Sequence, residues 1–350
     1  MKLIVQILLN LVQIWYINCV TVNIPLTNYG NAQYYANIDI GNPATTFKVA
    51  IDTTSPITFV PSADCDLTQL ACKLHSRYAS FNSSSYVGDG STWSCPHAPT
   101  DVTGYLSVDK VKIGNLTVQY QTIAEAVNLN SSTLVSSKYD GVLGLSLPSS
   151  SIPKNIVENL ADNRDINANG FGLWLNRNPN DQNGGELTLG GYDESKFKRP
   201  FYTLPLSGSS KDLSTDWAIQ LDTIVSNTYQ QIGCIAYVTP GQPTISLPLY
   251  DADQLHRYLG GTPISSGQYS FDCTTLDTLI AVQLNFGSSS FSLTHNDYVS
   301  IVDTPFGRYC LSLFEGISDS NFCYIGSPFL GRYYSYFDAE NKTISFAEVV

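Results

Sequence analysis

Basic residues are scarce in this chain. Eighteen Lys and Arg stand against thirty Asp and Glu, a formal net charge of −12. A nucleic-acid partner needs a basic face to neutralise its phosphates, and an anionic membrane surface makes the same demand, so neither is expected. Charge of either sign is thin, at 14% of residues against about 25% in an average globular chain. Methionine occurs once, and the four His are scattered at positions 75, 97, 256 and 295. No CxxC pair or His cluster supplies metal-ligand spacing, so neither a metal nor another cofactor is expected. Long apolar runs are also missing, with one exception: Leu3 to Ile17, interrupted only by Gln6, Asn10 and Gln13. That run is shorter than the ~20 apolar residues of a spanning helix. With Lys2 before it and the small Cys19 and Val20 after it, residues 1–19 read as a secretory signal peptide. The C-terminal Phe346-Ala347-Glu348-Val349-Val350 is no lipid-anchor tail.

What is present points to a secreted, folded, strand-rich protein. Apolar residues make up 43% of the 350, enough to build cores and to exclude a disordered chain. The length allows two domains at roughly 100–200 residues each. Sequons at Asn82, Asn115, Asn130 and Asn341 behind a signal peptide point to glycosylation, and eight cysteines fit an oxidising, extracellular compartment. Loss of Cys19 with the signal peptide leaves an odd number. Short alternating runs bounded by turn residues read as strands within 22–41 and at 45–51, 105–114, 170–176, 185–191 and 216–225. Helical patterns are confined to 152–163 and 250–261, the second with Asp251 as its N-cap and Gly260 as its stop. Many short strands and few helices define an all-β class.

The chain also echoes itself. Residues 51–61 (IDTTSPITFVP) can be laid on residues 238–248 (VTPGQPTISLP), with Pro56 on Pro243, Val60 on Leu247 and Pro61 on Pro248. About 90 residues after each segment come two apolar residues and a glycine, at Val142-Leu143-Gly144 and Tyr324-Ile325-Gly326. Two coincidences in the same order indicate a duplicated, two-lobed architecture.

On these residues the chain resembles the pepsin-like aspartic peptidases over nearly all of its mature length. NYGNAQYYANIDIGNPATTFKVAIDT, FVPSADC, YDGVLGLSLP, LTLGGYD, FYTLPL, WAIQLD and GSPFLGRYYSYFDAENKTISFA follow that family's landmarks in order. The resemblance implies two β-lobes, 20–198 and 199–350, joined by a shared sheet with a long cleft between them. It also implies disulfides Cys65–Cys72 and Cys273–Cys310. In the family each lobe contributes one Asp from an Asp-Thr/Ser-Gly loop. Two carboxylates within hydrogen-bonding distance cannot both ionise, so they share a proton, hold a water between them and act as base and acid on the scissile carbonyl.

Here the first loop reads Asp52-Thr53-Thr54-Ser55 and the second Thr239-Pro240-Gly241. Asp52 is kept, but Thr54 replaces the Gly of a crowded turn and is expected to crowd or reshape it. Thr239 occupies the place of the second Asp and cannot ionise, so the shared-proton dyad cannot form. Pro240 replaces the Thr or Ser that cross-links the loops, and it has no N–H. Asp303-Thr304-Pro305 is a decoy in an ordinary loop, 64 residues beyond the expected place. The tyrosine of the family's cleft-covering hairpin falls on His97, with Pro96 and Pro99 beside it, and a Pro-rich segment is expected to pair poorly. Cys95, two residues from His97, suggests a Cys-His nucleophile. Neither strand geometry nor a third orienting group supports it. Between Lys2 and Lys48 there is no Lys or Arg, so a basic pro-segment is not expected either. Cys95, Cys234 and Cys323 are left over, with any pairing open.

The expectation is a secreted, glycosylated, proteolytically inactive homologue that binds a peptide, a small ligand or a protein in its cleft or on its surface. The cleft-lining candidates are Asp52, Thr53, Thr54, Ser55, His97, Thr239, Pro240 and Gly241. An active peptidase with an unconventional site is the first alternative, and an abundant storage or allergen-like protein is the second. Oligomeric state is not legible.

Overall fold

A computed structural model describes residues 20–95, 102–178, 181, 183–207, 216–265, 267–318 and 321–350. The signal-peptide assignment, 1–19, lies outside them. The described chain is dominated by strands, as its alternating pattern demands. In Gln33–Ile40 every second side chain is buried, and in Val22–Tyr29 Ile24 and Leu26 are, with less buried residues between them. The segment 216–225 is two strands rather than one, Ala218–Gln220 and Thr223–Ser226, because Leu221 and Asp222 turn the chain from one sheet into another. Of the two helical patterns, the first narrows to Ile156–Asp162, capped by Asn155 and Glu158 in reciprocal hydrogen bonds. The second is Leu249–Leu259. Its N-cap is Pro248, not Asp251, which sits in the first turn, where its charge favours the helix dipole. Gly260 ends it in a left-handed conformation at φ 78°.

The architecture is the two-lobed, all-β pepsin-like fold. A 13-stranded sheet runs from the C-terminal strands Phe197–Pro205, Thr343–Val349 and Tyr333–Asp338 through Gly170–Leu175 and Gly185–Leu189 into Val22–Tyr29 and the N-terminal lobe. The two lobes thus share one sheet. Phe171, Trp217 and Phe337 pack edge-on and face-on above it, with ring centroids 4.7–5.9 Å apart.

The internal echo is a repeated strand arrangement. Thr45–Asp52 runs parallel to Gly141–Gly144, Phe59 pairs antiparallel with Val142, and Phe59–Pro61 runs parallel to Leu116–Leu129. In the second lobe Ile235–Val238 runs parallel to Phe322–Ile325. There Ile245–Pro248 pairs antiparallel with Phe322–Ile325 and parallel with Phe314–Ile317. Each lobe therefore carries a strand, a loop at its end, and a return strand crossing the same partner. The loops are 52–58 and 239–244.

Among the described residues three disulfides join Cys65 to Cys72, Cys273 to Cys310, and Cys234 to Cys323. The third pairs two of the leftover cysteines and ties together the parallel strands that lead to Thr239 and Gly326. Cys95 packs at the edge of the small cluster around Phe59, Cys72 and Leu129.

Candidate functional site

The two loops meet at the junction of the lobes. Asp52 closes its strand opposite Gly144, and its carbonyl accepts from the Leu145 N–H at 2.8 Å. Thr239 follows Val238, and its N–H donates to the Ile325 carbonyl at 3.1 Å. The same backbone scaffold thus delivers a carboxylate from one side and a hydroxyl from the other. The Thr239 hydroxyl donates to Asp52 Oδ1 at 3.2 Å and itself accepts from the Gly241 N–H at 3.2 Å.

Asp52 is held on one oxygen. Oδ1 also accepts from the Thr54 N–H at 2.8 Å and the Thr54 hydroxyl at 2.7 Å. Oδ2 takes no hydrogen bond from the described residues. Thr54 is not among the residues with left-handed backbone, and its side chain becomes a ligand of the carboxylate. The opposite loop shows the available room. A Cβ placed on Gly241 would stand 3.4 Å from Thr239 Oγ1 and 3.5 Å from Asp52 Cγ, which is ordinary contact.

The cross-link between the loops is one-sided. The buried Thr53 hydroxyl reaches across to the Val238 carbonyl at 2.6 Å. The reciprocal link has to start from residue 240, and the buried Pro240 has neither a hydroxyl nor an N–H. Ser55, also buried, turns its hydroxyl onto the Ile57 carbonyl at 3.0 Å and serves its own loop. Trp217 donates through its indole nitrogen to the Leu145 carbonyl at 2.8 Å and pins the second lobe against the first.

Aromatic side chains surround this floor. Burial, and then the charge of Asp52, push the Tyr139 phenol up to about 12. Tyr324 is raised by burial, then by Tyr237, Asp216 and Asp52. Tyr237, Phe322 and Tyr324 form a three-ring group on the strands leading to Thr239 and Gly326, with centroids 5.3–5.9 Å apart. Sequence reasoning missed this group and Asp216. The parallel register that places Tyr237 beside Tyr324 was the available signal.

His97 lies outside the described residues, as do its neighbours 96–101. The expectation that the Pro-rich segment pairs poorly falls on these residues and so lies outside the described ones; the arms on either side of it are described. Val87–Ser94 runs antiparallel to Val102–Ile113, with Thr92 opposite Tyr105 and Ser94 opposite Thr103. Asp303 is exposed and paired with Arg308, Nε to Oδ1 at 2.8 Å, within its own hairpin. Asn82, Asn115, Asn130 and Asn341 are all exposed. Among the described residues no group of three His, Cys, Asp or Glu side chains is placed to hold a metal ion.

A family model described as "Eukaryotic aspartyl protease" matches residues 33–349. The chain belongs to the eukaryotic aspartyl protease family. It is similar to cathepsin D of Gallus gallus, 34% identical over 93% of this chain and 83% of the relative. Cathepsin E of Aquarana catesbeiana is 35% identical over 94% and 83%, and cathepsin D of Homo sapiens is 32% identical over 92% and 82%. Membership in this family is what gives Thr239 and Pro240 their significance, since both stand in the loop that mirrors Asp52.

Proposed function

We propose that this family member is a secreted, N-glycosylated, proteolytically inactive protein that acts by binding. Its ligand is a peptide, a small molecule or a protein, taken in the cleft between lobes 20–198 and 199–350 or on the surface. The observation that carries the reading is the 3.2 Å contact between Asp52 and Thr239. Acid–base peptide hydrolysis through a shared proton requires two carboxylates at that separation, one to take a proton from water and one to polarise the carbonyl. A threonine hydroxyl donates one hydrogen bond to Asp52 but supplies no second titrating group. The one-sided cross-link through Thr53 supports the same reading, because the Pro240 loop has lost the means to complete it.

Digestion of a denatured protein substrate from pH 2 to 7, with and without a transition-state inhibitor of aspartic peptidases, tests this. No inhibitor-sensitive cleavage is expected. Cleavage abolished by the inhibitor would establish an active enzyme with an unconventional site. The triple variant Thr54→Gly, Thr239→Asp, Pro240→Thr is expected to gain measurable cleavage, because it restores both the carboxylate pair and the second cross-link. Release of the protein into culture medium, and a drop in apparent mass on treatment with an N-glycosidase, test secretion and glycosylation.

A further inference from the structure

Resting on the reading of the cleft as a binding site, we propose that Asp52, where the two loops meet, takes an organic cation, an ammonium group carried on a carbon chain or ring. The first ground is the asymmetry of Asp52. Its three hydrogen bonds, from the Thr54 N–H, the Thr54 hydroxyl and the Thr239 hydroxyl, all fall on Oδ1. Oδ2 is left as an acceptor without a donor among the described residues, on a side chain that is only partly buried. A carboxylate oxygen can only accept, so the group that completes it must donate. A charged N–H donor makes the stronger hydrogen bond.

The second ground is the wall beside it. Tyr237 and Tyr324 are register partners on adjacent parallel strands and so project from the same face. Phe322 joins them, with centroids 5.3 Å from Tyr237 and 5.9 Å from Tyr324. Aromatic faces attract cations and pack against the carbon that carries them. The third ground is the sign of the surroundings. Asp52 and Asp216 are the carboxylates whose charge bears on Tyr139, Tyr237 and Tyr324, and among the described residues no Lys or Arg does so. The ammonium nitrogen donates to Asp52 Oδ2, and its carbon framework lies against Tyr324 and Tyr237. The donor is a free amine or the side chain of a lysine within a peptide.

Calorimetric titration of the full chain at pH 7 and low salt tests this with four probes. These are benzylamine, its uncharged counterpart benzyl alcohol, a lysine-containing hexapeptide, and the same peptide with norleucine for lysine. Benzylamine is expected to bind one to one, at least about tenfold more tightly than benzyl alcohol, and to weaken as salt rises. Asp52→Asn, close in shape, should weaken benzylamine by about tenfold or more and leave benzyl alcohol unchanged. Tyr324→Leu should weaken benzylamine too, and it keeps the test available if Asp52→Asn does not fold. If the lysine peptide outcompetes benzylamine, the source is a protein segment; if only benzylamine binds, it is a free amine. Equal affinity for amine and alcohol, indifference to both variants, or no binding of any probe overturns the inference. Those failures are separate from failure of the inactive reading, which appears in the digestion assay as cleavage whether or not amines bind.

Discussion

The loops at Asp52 and Thr239 stand on the same scaffold and do different work. Each follows a strand that runs parallel to an apolar strand ending in glycine. Each is crossed by a return strand. The first loop holds a carboxylate, a buried threonine that reaches the other lobe, and a second threonine turned back on the carboxylate. The second holds a hydroxyl, a proline and an exposed glycine. The comparison separates what the fold requires from what the chemistry requires. Where backbone meets backbone, both lobes keep the same residue; where only the reaction sets the choice, they diverge.

The glycines that end the apolar strands give the largest expected effect. A Cβ on Gly144 would stand 2.7 Å from both the Ser55 oxygen and the Ile57 carbonyl carbon. On Gly326 it would stand 2.2 Å from the Gln242 oxygen and 2.3 Å from the Thr244 oxygen. These are backbone atoms of each lobe's own loop, so they cannot swing aside. Gly144→Ala and Gly326→Ala should each destabilise by about 3 kcal/mol or more, with Gly326→Ala the worse. Chemical denaturation of the two variants checks this. Tolerance in one lobe alone would break the structural equivalence of the loops.

The lobes should also differ in their response to pH, because each buries a histidine in the opposite sense. In the N-terminal lobe, the hydrogen bond with Asp140 raises the His75 pKa against the opposing effect of burial, and the Leu134 carbonyl at 2.6 Å adds to it. Burial alone would raise Asp140, but His75 and the N–H groups of Lys48 and Ser76 lower it. In the C-terminal lobe His256 is fully buried against Tyr269, centroids 3.7 Å apart, and burial pushes it down to about 4. The signs follow by linkage. The contribution of His75 is fully present below pH 6.5, its unfolded value, and is lost as pH rises through its folded pKa. That of His256 is present above 6.5 and is lost as pH falls from there through about 4, up to roughly 3 kcal/mol. Amide hydrogen exchange at pH 4 should therefore show the C-terminal lobe opening more than at pH 7. At pH 8 the segments around His75 should open more than at pH 6. His256→Phe should flatten the acid response of its lobe; an unchanged response would remove His256 from the account.

The scaffold was more legible in the sequence than the site. Residues 51–61 and 238–248 share apolar and proline positions because they solve one packing problem twice, and alternation marked the strands that carry them. Boundaries failed where a local signal competes with tertiary context, as at Asp251, which has the side chain of an N-cap but lies within the first turn. The fate of Thr54 was not readable, because whether a side chain fits a turn depends on what faces it from the other lobe. Pairing of Cys234 with Cys323 needed the register of two strands 89 residues apart in the chain.

The smallest effect is expected where the two loops touch. Thr53 is the only side chain of its loop that hydrogen-bonds to backbone across the interface among the described residues, through its hydroxyl and the Val238 carbonyl at 2.6 Å. Thr53→Val keeps the shape and removes the donor, leaving a carbonyl without that partner, at a cost of about 1–2 kcal/mol. If the cross-link is one-sided, restoring the other half should offset this loss. Pro240→Thr alone should therefore add stability in wild type and more in Thr53→Val, through the hydroxyl and N–H that proline lacks. A double-mutant cycle by thermal unfolding reads that coupling directly. Simple additivity would mean that the two positions never share the interface, and that the divergence of the loops is chemical alone.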